Sequence, residues 1–321
     1  MSEVSETKAT GQANAFLQPA PNASGFQVTP DGYRLRFAVF SSEARPNKGT
    51  VILLHGRNEA IEKYSESISD FLARGFDVAT FDWRGQGYSD RMIKNDRPGY
   101  VDDYDQYVAD LEFMFKTVIL PETRAPFFVV AHSMGGLAAL VAAPLLANRI
   151  RRMLLTTPLL GLGDTAPTAG LLAPAMRAMC FFGLGRVAPP GKSKSIATTP
   201  FLETPLTTDL ERYERNQKLA LDGGPLNLGG PSFAWVNATL KAIARVHEPD
   251  HMAKVYIPTL VLTAGADTVV SPTAAQNYAR NLRSGAHIMI DGAKHELLQE
   301  ADRYRDQFFA AFDQFIPGTS V

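Results

Sequence analysis

Six short, predominantly apolar runs, at residues 51–54, 78–81, 127–131, 153–156, 259–263 and 287–290, constrain this 321-residue chain more than any other feature. Each is too short for a buried helix and rich in β-branched or aromatic residues, so each reads as a strand covered on both faces. Between them, residues 60–74, 104–119, 134–147, 273–282 and 298–315 carry apolar side chains at helical spacing. Strand alternating with helix dictates an α/β architecture: a mainly parallel central sheet with helices on both faces, and ligand sites beyond the carboxyl ends of its strands.

The rhythm has an opening and one interruption. Two β-rich runs, 26–28 and 35–40, flank Pro30, Asp31 and Gly32, a turn signal that predicts an opening hairpin. Before it, residues 1–24 show no periodicity and contain Pro19 and Pro21, the pattern of a mobile tail. From 158 to 246 the strand series stops and Gly-Pro turns alternate with helical pieces. That stretch is expected to be a mostly helical cap inserted into a core made of 25–157 and 247–317.

Composition narrows the partners. Lys plus Arg number 32 against 33 Asp plus Glu, so a net charge of −1 offers no strong field for nucleic acid, and none is expected as a partner. The single cysteine, Cys180, allows no intrachain disulfide or cysteine zinc site, suits a reducing compartment, and is expected to be a buried apolar filler. Residues 2–12 lack the basic start and apolar stretch of a secretory signal. The most apolar stretch, 171–184, is broken by Pro174 and Arg177, short of the roughly 18–20 residues that span a bilayer. A cytoplasmic protein is expected, whose membrane contact, if any, is peripheral to the inner face.

The chemistry begins where the third of these runs ends. Residues 127–131 lead through His132 to Ser133, then Met134, Gly135 and Gly136 open a helix. A serine held on a sharp strand-to-helix turn, with small residues two positions either side, is a nucleophile elbow. Gly135 keeps one small position and Ala131 replaces the usual glycine at the other. The turn places the backbone N–H of Met134 at a helix start, where it can stabilise an oxyanion. Run 51–54 ends in His55, Gly56 and Arg57, and the N–H of Arg57 is the candidate second donor. His55 is expected to be a structural hydrogen-bonding residue.

A serine hydroxyl needs an imidazole to take its proton, and that imidazole needs a carboxylate to fix its tautomer. Such triads run in the order Ser, acid, His. Asp267 lies in the loop after run 259–263 and His295 in the loop after run 287–290. Asp291 competes as the acid but precedes the histidine too closely. His132 adjoins the serine but points elsewhere in an elbow, and His247, His251 and His287 lie at the cap junction or in a strand.

Taken together, His55-Gly56 with Glu59, the string from Asp82 to Ser89, the Ser133 elbow, Gly265-Ala266-Asp267 and His295-Glu296 resemble the monoacylglycerol lipase and bacterial lysophospholipase branch of the α/β-hydrolases, the serine aminopeptidase S33-type hydrolases. Two cap segments, 205–213 and 229–236, resemble its bacterial lysophospholipase-like members. The resemblance implies the α/β-hydrolase fold and cofactor-free hydrolysis of carboxylic esters, often of single-chain lipids, through an acyl-enzyme. It departs at Ala131 and at the Arg57-Asn58 pair. The 82–89 segment is expected to be a loop packed beneath the site.

Within the cap, Leu171, Leu172, Ala175, Met176, Met179 and Cys180 fall on one helix face, extended by Phe181, Phe182 and Leu184. Leu172, Met176, Met179, Phe182 and Trp235 are the expected lining of a pocket for a medium or long acyl chain. Two other outcomes fit the same sequence: acyl transfer to an alcohol on the same triad, and a non-catalytic ligand-binding member of the fold.

Overall fold

The computed structural model describes residues 18–94, 98–163, 169–189, 199–221 and 224–317. Among these, eight strands form one sheet: β1 (Ala23–Val28), β2 (Arg34–Phe40), β3 (Thr50–Leu54), β4 (Asp77–Phe81), β5 (Phe127–His132), β6 (Ile150–Thr156), β7 (Thr259–Ala264) and β8 (Gly285–Ile290). Their spatial order is β1-β2-β4-β3-β5-β6-β7-β8, antiparallel for β1, β2 and β4 and parallel from β4 through β8.

Alternation along each strand divides the apolar side chains between two layers. Ile52, Leu54, Val129 and Ala131 face α2 (Tyr104–Met114), α3 (Met134–Leu146), α6 (Phe233–His247) and α7 (Pro272–Asn281) in one cluster. Their neighbours Val51, Leu53, Phe128 and Val130 face α1 (Ser65–Ala73) and α8 (Asp302–Phe315) in the other, where Phe71, Phe308, Phe309 and Phe312 interlock edge to face. Strands buried on both sides must be apolar throughout, which is why the runs of β3 to β7 show no alternation; run 287–290 departs from the expectation, because β8 is an edge strand whose Ile288 and Met289 are 43% and 45% exposed.

The paired chain starts earlier than the expected tail boundary: Ala23 to Gly25 pair with Val39 to Phe37 through backbone groups, to which side-chain pattern is blind. Residues 1–17 lie outside the described residues. Between β6 and β7 no strand occurs among the described residues, where α4 (Ala169–Phe181), α5 (Leu210–Ala220) and α6 are found. The last of these is part of the main core, since Ala238, Ala242 and Val246 are buried with Leu137 and Val141 of α3. Within the described residues no helix is long and apolar enough to cross a membrane.

β3 sends its connection to β4 on one side, while β5 lies on the other. This reversal opens a crevice beyond the carboxyl ends of β3 and β5, where ligands bind in open α/β sheets.

Candidate active site

β5 ends at His132 and α3 begins at Met134, so Ser133 must turn the chain within one residue; it does so at φ 50°, ψ −116°, an unfavourable conformation for a residue with a side chain. Close approach of α3 to β3 makes this possible. A Cβ on Gly135 would stand 2.5 Å from the carbonyl oxygen of His55 and 2.6 Å from that of Leu54, so only glycine fits. Ala131 is fully buried between β3 and β6, paired with Leu54 and Leu155, and its methyl group is accommodated there. Around the turn, Ser133 N–H donates to the Thr156 carbonyl and its own carbonyl accepts from Leu159.

Three post-strand loops meet at this point. His295 Nε2 lies 3.1 Å from Ser133 Oγ, and His295 Nδ1 lies 2.7 Å from Asp267 Oδ2. The other oxygen of Asp267 accepts N–H groups from Val269 and Val270 at 2.8 and 3.1 Å, which fixes the carboxylate. Burial alone would raise the pKa of Asp267, but the charge and hydrogen bond of His295, with those two N–H groups, outweigh it and hold the carboxyl below its ordinary value. The arrangement can move a proton from the serine hydroxyl to the imidazole. Asp291, the rival acid, is exposed and close to Gly265.

Met134 opens α3, so its N–H has no carbonyl one turn back; the first such bond is Leu137 N–H to Ser133. The loop bearing Arg57 adjoins the serine, because a Cβ on Gly56 would lie 3.2 Å from Ser133 Cβ and 2.9 Å from the His132 ring. Asn58 follows at φ 58°, a region asparagine tolerates, and its N–H donates to Gln86 Oε1 at 2.6 Å. Gln86 Nε2 faces Met134 Sδ at 3.3 Å. One buried glutamine thus ties together the two loops carrying the candidate oxyanion donors. Its own loop is held by Gly87, where any Cβ would overlap the Asp82 carboxylate, and by Ser89 Oγ donating to the Asp82 carbonyl at 2.6 Å. Asp82, Trp83, Arg84, Gln86 and Ser89 are all buried, the packed loop expected beneath the site.

The remaining histidines do other work. His55 is buried, its Nδ1 2.7 Å from the Gly56 carbonyl and its Nε2 accepting from Trp83 N–H, and burial lowers its pKa. The His132 ring lies 4.8 Å from the His295 ring, tilted by 55°, with Nδ1 facing the hydroxyls of Thr156 and Thr157 at 3.3 and 3.2 Å. Burial first, then the nearby charges of His295 and Lys63, lower its pKa to about 3 against the pull of Glu59. Thr157 has φ 43° and donates its hydroxyl to the His295 carbonyl at 2.8 Å, so a strained residue after β6 holds the histidine loop.

A cavity of about 730 Å³ opens over Ser133 and His295. Its apolar wall includes Leu172, Met176 and Trp235, together with Leu159, Leu206 and Leu240. Met179 and Phe182, expected in the same wall, are not among the lining residues. Phe182 is 72% exposed and Phe181, the last residue of α4, 85%, so the end of this helix carries both rings to the surface and away from the cavity. Cys180 is half-buried rather than a core filler. The sequence pattern assigned no role to a charged cluster at the cavity edge: Lys63 Nζ lies 2.6 Å from both Glu59 and Glu296, and Glu59 accepts from Tyr64 and from Gly56 N–H. Burial would neutralise Lys63, but the charges of Glu296 and Glu59 raise its pKa and keep it cationic. Glu59 and Glu296 stand among the motifs of the family resemblance, whereas Lys63 carries no signal in the sequence beyond its place four residues after Glu59.

With this geometry in view, comparison with known families is decisive: residues 45–302 match the model described as serine aminopeptidase, S33. The chain belongs to this family. This S33 chain is similar to the lysophospholipase L2 of Escherichia coli strain K12, 28% identical over 294 residues that cover 89% of this chain and 84% of that protein. The monoglyceride lipase of Mus musculus is 25% identical over 309 residues, 94% and 90% of the two chains. Among solved structures, a carboxyl esterase from Bacillus coagulans superposes with TM-score 0.76 at 19% identity, covering 93% of this chain and 99% of that one. The α/β-hydrolase fold and the lipase and lysophospholipase branch expected from the motifs are thereby established for this S33 member.

Proposed function

We propose that the protein hydrolyses carboxylic esters of single-chain lipids, of the lysophospholipase or monoacylglycerol lipase type, through an acyl-enzyme on Ser133. The observation that carries this reading is the relay of 3.1 and 2.7 Å from Ser133 through His295 to Asp267, at the floor of an apolar cavity. The names of its relatives, lysophospholipase L2 and monoglyceride lipase, support the substrate class.

In the first half-reaction Ser133 Oγ attacks the ester carbonyl carbon while His295 Nε2 takes its proton. The oxyanion receives N–H groups from Met134 and Arg57, each such donor being worth roughly 10²–10³ in rate. Collapse breaks the ester bond, and His295 returns the proton to the departing alcohol. Water then enters, gives a proton to His295 and attacks the acyl-enzyme; collapse breaks the acyl–Oγ bond, His295 returns the proton to Ser133 Oγ, and the acid leaves. Asp267 holds the imidazole with Nε2 toward the serine and stabilises it when charged. Leu172, Met176 and Trp235 would receive the acyl chain, whereas Phe181 and Phe182, 85% and 72% exposed, would touch a lipid surface from outside.

The test is hydrolysis of p-nitrophenyl esters of graded chain length, a lysophospholipid and a monoacylglycerol by wild type and Ser133→Ala. Activity lost in the variant and greatest on longer chains is the expected result. Equal rates from both proteins, or strict preference for acetyl, would overturn it.

A further inference from the structure

Two cations line the cavity, and they are neutralised differently. Lys63 lies between two carboxylates. Arg57 has no carboxylate within ion-pair reach among the described residues: its Nη2 donates to the Gly229 carbonyl, its guanidinium lies 5.4 Å above the Trp235 ring, and its Nε is buried without an acceptor. Gly99 confines the group, since a Cβ there would stand 3.0 Å from both Nε and Nη2. Burial lowers its pKa to about 10, which still leaves it charged near neutrality. Taking a cation out of water without a counter-charge is strongly unfavourable, so the missing counter-charge calls for an explanation.

We propose that Arg57 binds an anionic group of the substrate, a phosphate or a carboxylate, and so selects charged single-chain esters over neutral ones. This rests on the hydrolase reading above. Arg57 and Ser133 line the same cavity, and the loop bearing residue 57 runs so near the serine that a Cβ on Gly56 would lie 3.2 Å from Ser133 Cβ, so one ligand can lie against both. A guanidinium suits this role, being a planar fork of donors matched to oxyanions that keeps its charge on an aromatic face. The anionic group has two sources, a phosphate on the alcohol side or a carboxylate at the far end of the acyl chain.

The experiment measures kcat/KM for lysophosphatidic acid, for a glycerol ester of an ω-carboxy fatty acid and for the neutral monoacylglycerol of the same chain length. Wild type, Arg57→Met and Arg57→Gln are compared, the glutamine retaining a donor for Gly229 should the methionine variant fail to fold. The readout is the ratio of charged to neutral substrate, because any disturbance of the residue 57 N–H scales both rates together. Loss of the guanidinium should lower that ratio roughly ten- to hundredfold, the usual worth of a hydrogen bond to a charged group. A fall confined to lysophosphatidic acid assigns the site to phosphate, and one confined to the ω-carboxy ester assigns it to the acyl end. A ratio unchanged in both variants while the neutral ester is still cleaved overturns the role of Arg57 and leaves the hydrolase reading intact. If no ester is cleaved, the hydrolase reading fails and calorimetry decides separately. An Arg57-dependent preference for an alkyl-ether lysophosphatidate over the neutral alkylglycerol then upholds the anion site, and equal binding removes it.

Discussion

Gly135→Ala puts the proposed elbow to a quantitative test. The added methyl carbon would meet two backbone carbonyl oxygens at 2.5 and 2.6 Å, where contacts under 3.0 Å are essentially never found. Neither oxygen sits on a flexible side chain, so α3 must recede from the end of β3 by about 0.5 Å, the difference between 3.0 and 2.5 Å. That movement carries Met134 away from the loop of Arg57 and widens the gap between the two proposed oxyanion donors. A misplacement of about 1 Å costs roughly 10² in rate, so half of it should cost on the order of tenfold in kcat. Overpacking of this kind costs about 1–3 kcal/mol, and each kcal/mol lowers the Tm of a chain this size by roughly 1–2 °C. Steady-state hydrolysis of a p-nitrophenyl ester with a thermal melt reads both quantities. Ala131→Gly is the control: it removes a methyl group that already fits, and should cost roughly 0.5–1 kcal/mol through backbone entropy while kcat stays within about twofold. Wild-type kcat and Tm in Gly135→Ala would refute the packing argument, as would a larger kinetic effect from Ala131→Gly.

Other substitutions separate neighbours with different roles. Asp267→Asn should lower kcat by roughly 10³–10⁴ through the wrong histidine tautomer, while Asp291→Asn, an exposed side chain, should leave it unchanged; rates for both variants decide which acid serves His295. His132 is buried neutral with a pKa near 3 against about 6.5 unfolded, so the unfolded chain binds the extra proton and stability falls as pH drops from about 6.5 toward 3. His132→Asn should flatten that limb of a plot of unfolding free energy against pH, whose slope from this group approaches about 1.4 kcal/mol per pH unit; an equally steep limb would exclude His132 as its source. Met176→Trp should fill the cavity and shift the chain-length optimum to shorter esters, whereas Phe182→Ala should leave soluble esters untouched and weaken binding to lipid vesicles in a flotation assay. Identical chain-length profiles for Met176→Trp and wild type would remove α4 from the acyl wall.

The sheet was legible because burial on both faces leaves a continuous apolar run, as at 51–54 and 127–131, and because loops after such strands are where functional residues gather. Ser133, Asp267 and His295 could therefore be proposed by position, and folding brings the three side chains within hydrogen-bond reach. Edges written in backbone pairing were not legible, which is why β1 starts at Ala23 without a side-chain signal. Nor was the direction a side chain takes at a helix end: helical spacing placed Phe182 with Met176, yet the helix stops one residue earlier and the ring turns to solvent. Polar neighbours brought together by folding were harder still. Lys63 and Glu296 are 233 positions apart, and Gln86 reaches two loops that no local pattern connects.

The insertion between β6 and β7 is tied down at two places: α6 belongs to the sheet-facing core, and residues 206–212 hold the loop after His295, with Glu296 N–H donating to the Leu206 carbonyl at 2.9 Å and Thr207 Oγ1 to the Gln299 carbonyl at 2.7 Å, while α4 presents exposed apolar side chains. Ser133 is reached before that insertion in the chain, and Asp267 and His295 after it. Exchanging the stretch 164–231 for that of another member of the family would therefore carry away the Leu206 carbonyl that holds the loop of His295, so such a graft should disturb the proposed Ser133–His295 relay unless residues 204–212 are kept. A transplant that also takes α6 would remove Ala238, Ala242 and Val246 from the foundation on which α3, and with it the serine, is set.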